Sequence, residues 1–366
     1  MNKAGAPDRI FIGLTIALVV IGLLIFFSAS LSVLAQDPGQ FYKMLFNQIG
    51  LGLIGGGIAF FFVSRLDYRF WKKYALVIFI TSIVILLLVF IPGLGFEHGG
   101  ATRWLNLGPI SFQPAELAKL GFVIYAAAWF SWAGDKIGQF TWGLIPLVCM
   151  IGVVGGILLL QPDTGTFLVI MISGLVIYFV AGARWRDIII LVVVALVGLI
   201  ILVAMRPYLI SRVKTFANPN IDPLGSSYQV QQSLIAIGSG KVFGRGYGQS
   251  VQKFSYLPEP AGDSVYAVVG EEFGFFGTVA LLLLYVAFCL RGFWIATRTS
   301  SNFGQYLAIG IMTLIIGQSF LNIASNLALF PLTGEPLMFI SQGGSALLFA
   351  LLEAGIIVNI SRYRKH

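Results

Sequence analysis

The chain predicts an all-α integral membrane protein: about ten transmembrane helices in a single polytopic domain, 1–366, with a large extracytoplasmic loop at about 206–264 between helices 7 and 8. Three observations carry this. Hydrophobic residues make up 58% of the chain and charged residues only 10%, against roughly 25% charged in a soluble domain. Apolar runs of the length a bilayer requires, about 17–25 residues, recur ten times. The basic residues fall between these runs with a strong bias to one side.

The runs cover 10–35, 44–64, 74–91, 115–133, 141–160, 164–183, 188–205, 264–290, 305–327 and 340–360. The first is too long for a secretory signal and lacks a small-residue cleavage site. The second holds Gly55-Gly56-Gly57, which a membrane helix tolerates and which lets a neighbouring backbone approach. The third and fourth are joined by EHGGATRWLNLGPISFQPAELAK (97–119), where Gly99-Gly100 and Pro109 signal turns and Trp104 and Phe112 suit a membrane interface. Inside the fourth run, Glu116 and Lys119 stand three apart on one helix face. Such groups cost about 2.5–3.5 kcal/mol each at the centre of a membrane helix. They either mark function or form a buried pair that only fixes packing.

Gln161-Pro162-Asp163-Thr164-Gly165 separates the fifth and sixth runs, where Asp163 or Thr164 caps the following helix in the plainest reading. After the seventh run, residues 228–277 gather Lys241, Arg245, Lys253, Glu259, Asp263, Glu271 and Glu272 among glycine and proline turns. Cations and carboxylates placed together at a membrane boundary suit an anionic or sugar-like ligand; the structural alternative is a solvated loop. The last loop, PLTGEPLMFISQGGSA, leads into a final run that contains Glu353.

Fourteen of the 23 basic residues lie at one set of ends: Lys3, Arg9, Arg65, Arg69, Lys72, Lys73, Lys136, Arg184, Arg186, Arg291, Arg298, Arg362, Arg364 and Lys365. The short connections on the other side hold little beyond Lys43 and Arg103. The positive-inside bias therefore places both termini in the cytoplasm and the long loop outside. The net charge of +8 reads as orientation rather than nucleic-acid binding, because the cations are scattered between apolar runs. Cys149 and Cys289 sit in apolar runs without metal-ligand spacing, and two histidines, His98 and His366, argue against a histidine metal site. Nucleotide, serine-hydrolase and zinc-hydrolase fingerprints are missing.

Taken in order, the blocks 99–119, 161–165, 228–277 and 326–346 on a ten-segment background resemble the SEDS family, which includes FtsW, RodA and SpoVE. The likeness covers essentially the whole chain. The compact run GRGYGQSVQKFSYLPEP resembles FtsW or SpoVE more than RodA-like members. The resemblance implies a peptidoglycan glycosyltransferase that polymerises lipid II at the outer face of the cytoplasmic membrane, in cell division or wall synthesis. The implied partners are a class B penicillin-binding protein and other divisome or elongasome membrane proteins. It also implies a divalent cation, Mg²⁺ or Mn²⁺, sharing the diphosphate charge, and no organic cofactor; no dedicated metal cage is visible in the sequence.

On the matching positions, Asp263 takes the place of the aspartate in the family's Glu-Pro-His-Thr-Asp motif and is the expected general base. Arg103, Glu116, Lys119 and Asp163 match family polar residues and are expected at the substrate, joined by Arg245, Lys253 and Glu259. The pattern is departed from at Ala261-Gly262, which replace His-Thr, at Ser264 and Tyr266, and at Gln342, which replaces a usual Tyr. Two other functions fit the same composition. A lipid II flippase needs a polar cavity but no base, and a non-catalytic scaffold needs only to recruit the penicillin-binding protein.

Overall fold

The computed structural model describes residues 5–98, 101–108, 110–219, 222 and 225–364. Lys3, Lys365 and His366, and the turn residues Gly99, Gly100 and Pro109, lie outside the described residues. The chain is a multi-pass membrane protein, and among the described residues ten apolar helices stand where hydropathy puts them. Seven are long enough to cross a bilayer on length and composition, and three are shorter.

In chain order, α1 is Arg9–Gln36. α2, Pro38–Phe46, runs through a π-helical stretch, Asn47–Gly55, into α3, Gly56–Val63. A short α4, Arg69–Lys73, precedes α5, Ala75–Leu87. Then come α6 Pro114–Ala133, α7 Leu144–Leu160, α8 Thr164–Val180 and α9 Trp185–Met205. The expected long loop is itself largely helical, with α10 Pro207–Ala217, α11 Tyr228–Ser239 and α12 Gln252–Ser255. α13 Val265–Thr297, α14 Asn302–Asn326 and α15 Gly344–Ser361 complete the bundle.

α14 and α15 are buried along most of their length and form the centre. Lipid chains are as apolar as leucine, so such helices associate through close packing. Gly52 and Gly56, four apart, supply it: a β-carbon on Gly56 would lie 2.8 Å from Leu351, and one on Gly52 3.1 Å from Leu347. At the periphery α9 buries only Asp187 and turns Ile, Val and Leu side chains outward on all sides, as a lipid-facing helix does.

Two features depart from the hydropathy reading. A small antiparallel sheet, order β1-β2-β3, forms from Gly95–His98, Ala101–Leu107 and Ile110–Phe112. Asn47 donates to Ser111 Oγ at 2.7 Å and Phe112 packs on Phe349 of α15, so the sheet is tied to the bundle. The eighth helix is not continuous from 264, because α13 breaks at Gly274 (φ 64, ψ −159). Thr278 Oγ1 lies within hydrogen-bond distance of Gly274 O (3.1 Å) and Phe275 O (2.9 Å), holding the kink.

The two ends of the bundle are distinct. At one, Gly5 N donates to Arg362 O at 2.8 Å. Asp8 there caps α1 and pairs with Arg291 (2.6 Å) and Arg364 (3.0 Å). Asn359 holds the 64–68 turn at the same end, through Tyr68 N and Ser64 O. Residues 5–8 and 362–364 thus meet at the arginine-rich end of α13. At the opposite end the sheet, the Gln161–Asp163 turn, the 206–264 region and residues 327–343 come together.

Candidate functional site

Asp263 lies one residue before Ser264, the N-cap of α13, so it stands on the preceding turn rather than in the helix. That turn is compact. Glu259, at φ 46, accepts main-chain bonds from Gly262 (3.0 Å) and Ser264 (3.1 Å). Four further bonds clamp residues 261–263. Asn322 and Asn326 of α14 donate to Asp263 O at 2.9 and 2.8 Å. Ser341 Oγ donates to Gly262 O at 2.8 Å, and Gln342 N to Ala261 O at 2.6 Å. The clamp acts on main-chain atoms, so replacing the family's His-Thr by Ala261-Gly262 and a tyrosine by Gln342 leaves it intact. The Asp263 carboxylate is half-buried and faces Gly334: a β-carbon there would be 3.5 Å from Oδ2.

Two guanidinium groups stand at the same end of the bundle. Arg103, on β2, donates to the main-chain oxygens of Gln161 (3.3 Å) and Pro162. Arg212, on α10, donates to Thr333 O at 3.4 Å. Burial and the charge of Arg103 lower the pKa of Arg212, while Tyr208, Asp263 and Asp163 oppose that shift. Arg212 thus lies within electrostatic reach of both Asp263 and Asp163. It also lines a cavity of about 330 Å³ between α10, the start of α11 and residues 328–332.

Asp163 caps α8, accepting from Thr166 N (3.3 Å) and Thr166 Oγ1 (3.0 Å). The same hydroxyl lies 3.0 Å from Glu335 Oε1. Burial pushes the Glu335 carboxyl up to about 8; the charges of Asp163 and Glu116 add to the shift, and Lys119 opposes it. Deeper in the helices, Lys119 Nζ is 2.9 Å from Glu116 Oε1 and also donates to Gln318, and all three side chains are buried. Lys119 is within electrostatic reach of Glu335 and of Glu353.

Arg245 and Lys253 are elsewhere. Arg245 pairs with Glu271 (3.3 Å), and the fully buried Lys253 pairs with Glu272 (2.6 Å) and bonds Ser28 of α1. Phe275 N and Phe276 N donate to Lys241 O and Val242 O across the Gly274 break. These charges fasten residues 241–253 to the broken helix. Glu259 is exposed on the Asp263 turn. Sequence reasoning grouped Arg245 and Lys253 with Asp263 by chain proximity, and it passed over Arg212 and Glu335. Glu335 carried a signal, being the only acid in residues 327–343.

The expected divalent cation has no built cage. Among the described residues no group of three or more His, Cys, Asp or Glu side chains is placed to hold an ion. Asp163 and Glu335 are engaged with Thr166, and Glu116 with Lys119. The site's own positive charges toward an anion are Arg103 and Arg212. The arrangement offers one carboxylate on a rigid turn, two guanidinium groups and a cavity of mixed polar and apolar lining at one end of a membrane bundle.

Similarity to known proteins covers the whole chain. It is 37% identical over 371 residues to stage V sporulation protein E of Bacillus subtilis (strain 168), spanning 100% of both chains. It is 36% identical over 365 residues to the probable peptidoglycan glycosyltransferase FtsW of Geobacter sp. (strain M18), spanning 99% of this chain and 98% of that one. Among solved structures, a chain from a peptidoglycan synthase complex that coordinates polymerization and crosslinking superposes with a TM-score of 0.79 at 30% identity, covering 98% of each chain. The rod shape determining protein RodA of Thermus thermophilus superposes with a TM-score of 0.71 at 29% identity, covering 99% of this chain and 98% of that one. Residues 8–366 match the family model described as cell cycle protein, FtsW/RodA/SpoVE, and the chain belongs to that family.

Proposed function

We propose that this chain is a peptidoglycan glycosyltransferase that polymerises lipid II at the outer face of the cytoplasmic membrane, with Asp263 as general base. The observation that carries the reading is the clamped turn that presents Asp263 at the same end of the bundle as Arg212 and Arg103. The names of the FtsW relatives and the likeness to a chain of a peptidoglycan synthase complex support it.

The reaction joins the 4-hydroxyl of the acceptor's GlcNAc to the anomeric carbon of the donor's MurNAc, and the undecaprenyl diphosphate leaves. A hydroxyl is a weak nucleophile. Asp263 accepts its proton as the new bond forms, a contribution of about 10²–10⁴-fold. The main-chain clamp fixes the turn that carries Asp263 before substrate arrives, and such positioning is a condition for the gain. Arg103 and Arg212 receive the charge of the diphosphate, for which a planar guanidinium offers paired donors. Glu116 and Lys119, buried as a pair, act on the site from beneath rather than by contact.

Both termini are cytoplasmic in this reading: they meet at the arginine-rich end of the bundle, and cations are retained inside. The proposed partner is a class B penicillin-binding protein, which crosslinks the strands. The test is glycan formation by the purified chain from lipid II, with and without that partner. Strands are expected with the partner present. Transbilayer movement of lipid II without strands in either condition would sink the proposal.

A further inference from the structure

Thr166 Oγ1 stands 3.0 Å from Asp163 Oδ2 and 3.0 Å from Glu335 Oε1. A hydroxyl has one hydrogen and can donate it to only one of them. With both acids ionised, the second contact would set a carboxylate oxygen against a hydroxyl lone pair in a buried site. One proton on one acid resolves the conflict, giving a chain in which an acid donates to Thr166 and Thr166 donates to a carboxylate.

The surroundings decide which acid holds it. Asp163 also accepts from Thr166 N and caps α8, so an amide and the helix dipole favour its ionised form. Glu335 is 4% exposed and lies against Gly165, where a β-carbon would be 2.6 Å from its Oε1. The charged groups facing it are Asp163 from α8, Glu116 and Lys119 from α6, and, through its neighbours Gly334 and Thr333, Asp263 and Arg212. We infer that Glu335 is a positioning residue of the site: it is protonated at neutral pH, donates to Thr166, and so holds the ionised Asp163 in place beside the arginines.

The raised pKa, about 8, agrees with this assignment. A carboxyl shifted upward is neutral below that value and ionises above it. Ionisation would break the hydrogen-bond chain and add a negative charge next to the groups that receive an anion. The consequence for catalysis rests on the polymerase reading; the proton itself does not.

The experiment therefore has two arms. Infrared spectra of the purified protein and of Glu335→Gln are compared across pH. A protonated-carboxyl C=O band is expected in the wild type at pH 7, lost on titration through about 8, and missing from the variant. In the second arm, the KM for lipid II in the wild type should rise up to about tenfold per pH unit above that value, with kcat less affected. Glu335→Gln still donates through its amide, so it should keep the neutral-pH rate and lose the alkaline rise. Glu335→Ala, without a donor, should raise KM at every pH. No band assignable to Glu335 at pH 7 overturns the inference, as does Glu335→Gln being as poor as Glu335→Ala. If no glycan forms with any of these proteins, the infrared arm still decides the proton, and the polymerase reading fails alone.

Discussion

Replacing Lys119 by methionine removes a charge and keeps most of the side-chain volume. In the folded protein Lys119 is 1% exposed and Glu116 2%, and they stand 2.9 Å apart inside the bundle. Glu116 Oε2 has no hydrogen-bond partner among the described residues, so the ammonium is what compensates that carboxylate. Removing one member of such a pair costs about 3–5 kcal/mol, because the other is left buried and unpaired, whereas replacing both by neutral groups is nearly neutral or stabilising. Glu116→Gln alone should be milder, about 1–3 kcal/mol, since Lys119 keeps Gln318. The double variant should then be close to wild type, a coupling of at least about 4 kcal/mol. Unfolding of the four proteins in detergent micelles measures it, with activity expressed per folded molecule. Additive losses would refute the paired role. A Lys119→Met protein of full stability but no activity would instead make Lys119 a substrate contact.

Three other outcomes are expected. Arg103→Ala should lower polymerisation while the protein still inserts, and Arg103→Lys should recover only part of the rate, because a lysine cannot offer paired donors; radiolabelled lipid II incorporation measures both. Gly274→Ala should destabilise the protein, since Gly274 has φ 64 and a β-carbon would meet Gly244 N at 2.4 Å. A non-glycine residue held in that backbone region costs about 1–3 kcal/mol, and thermal unfolding of the purified variant reads the loss. Reporter fusions at Lys72, Arg186 and Arg298 should report cytoplasm and a fusion near Gly240 the outside; an outside signal at Arg298 breaks the topology.

The helices were legible because a bilayer imposes a length and a polarity on each one, and the sequence satisfies both ten times. Asp263 and Arg103 were legible because they stand in polar islands between those runs. Arg212 was not. On the chain it is one of several cations in a long polar stretch, and only the fold carries α10 back to Thr333, 121 residues away. Glu335 meets Thr166 across 169 residues, a pairing that no local pattern encodes. The break in α13 was hidden for a different reason: a glycine inside an apolar run reads as a tolerated helix residue until its φ is known. Arg245 and Lys253 misled in the opposite way, near Asp263 in sequence but paired in the fold with Glu271 and Glu272.

The central claim is that Asp263 takes the acceptor's proton, and Asp263→Asn tests it most directly. The exchange keeps the size of the side chain and leaves the main-chain clamp from Asn322, Asn326, Ser341 and Gln342 in place. Polymer formation and lipid II movement should be followed in the same proteoliposomes, with the penicillin-binding partner present. The account predicts a folded variant that still binds lipid II and its partner, with strand formation slower by about 100-fold or more. Near-normal strand formation by Asp263→Asn would contradict it.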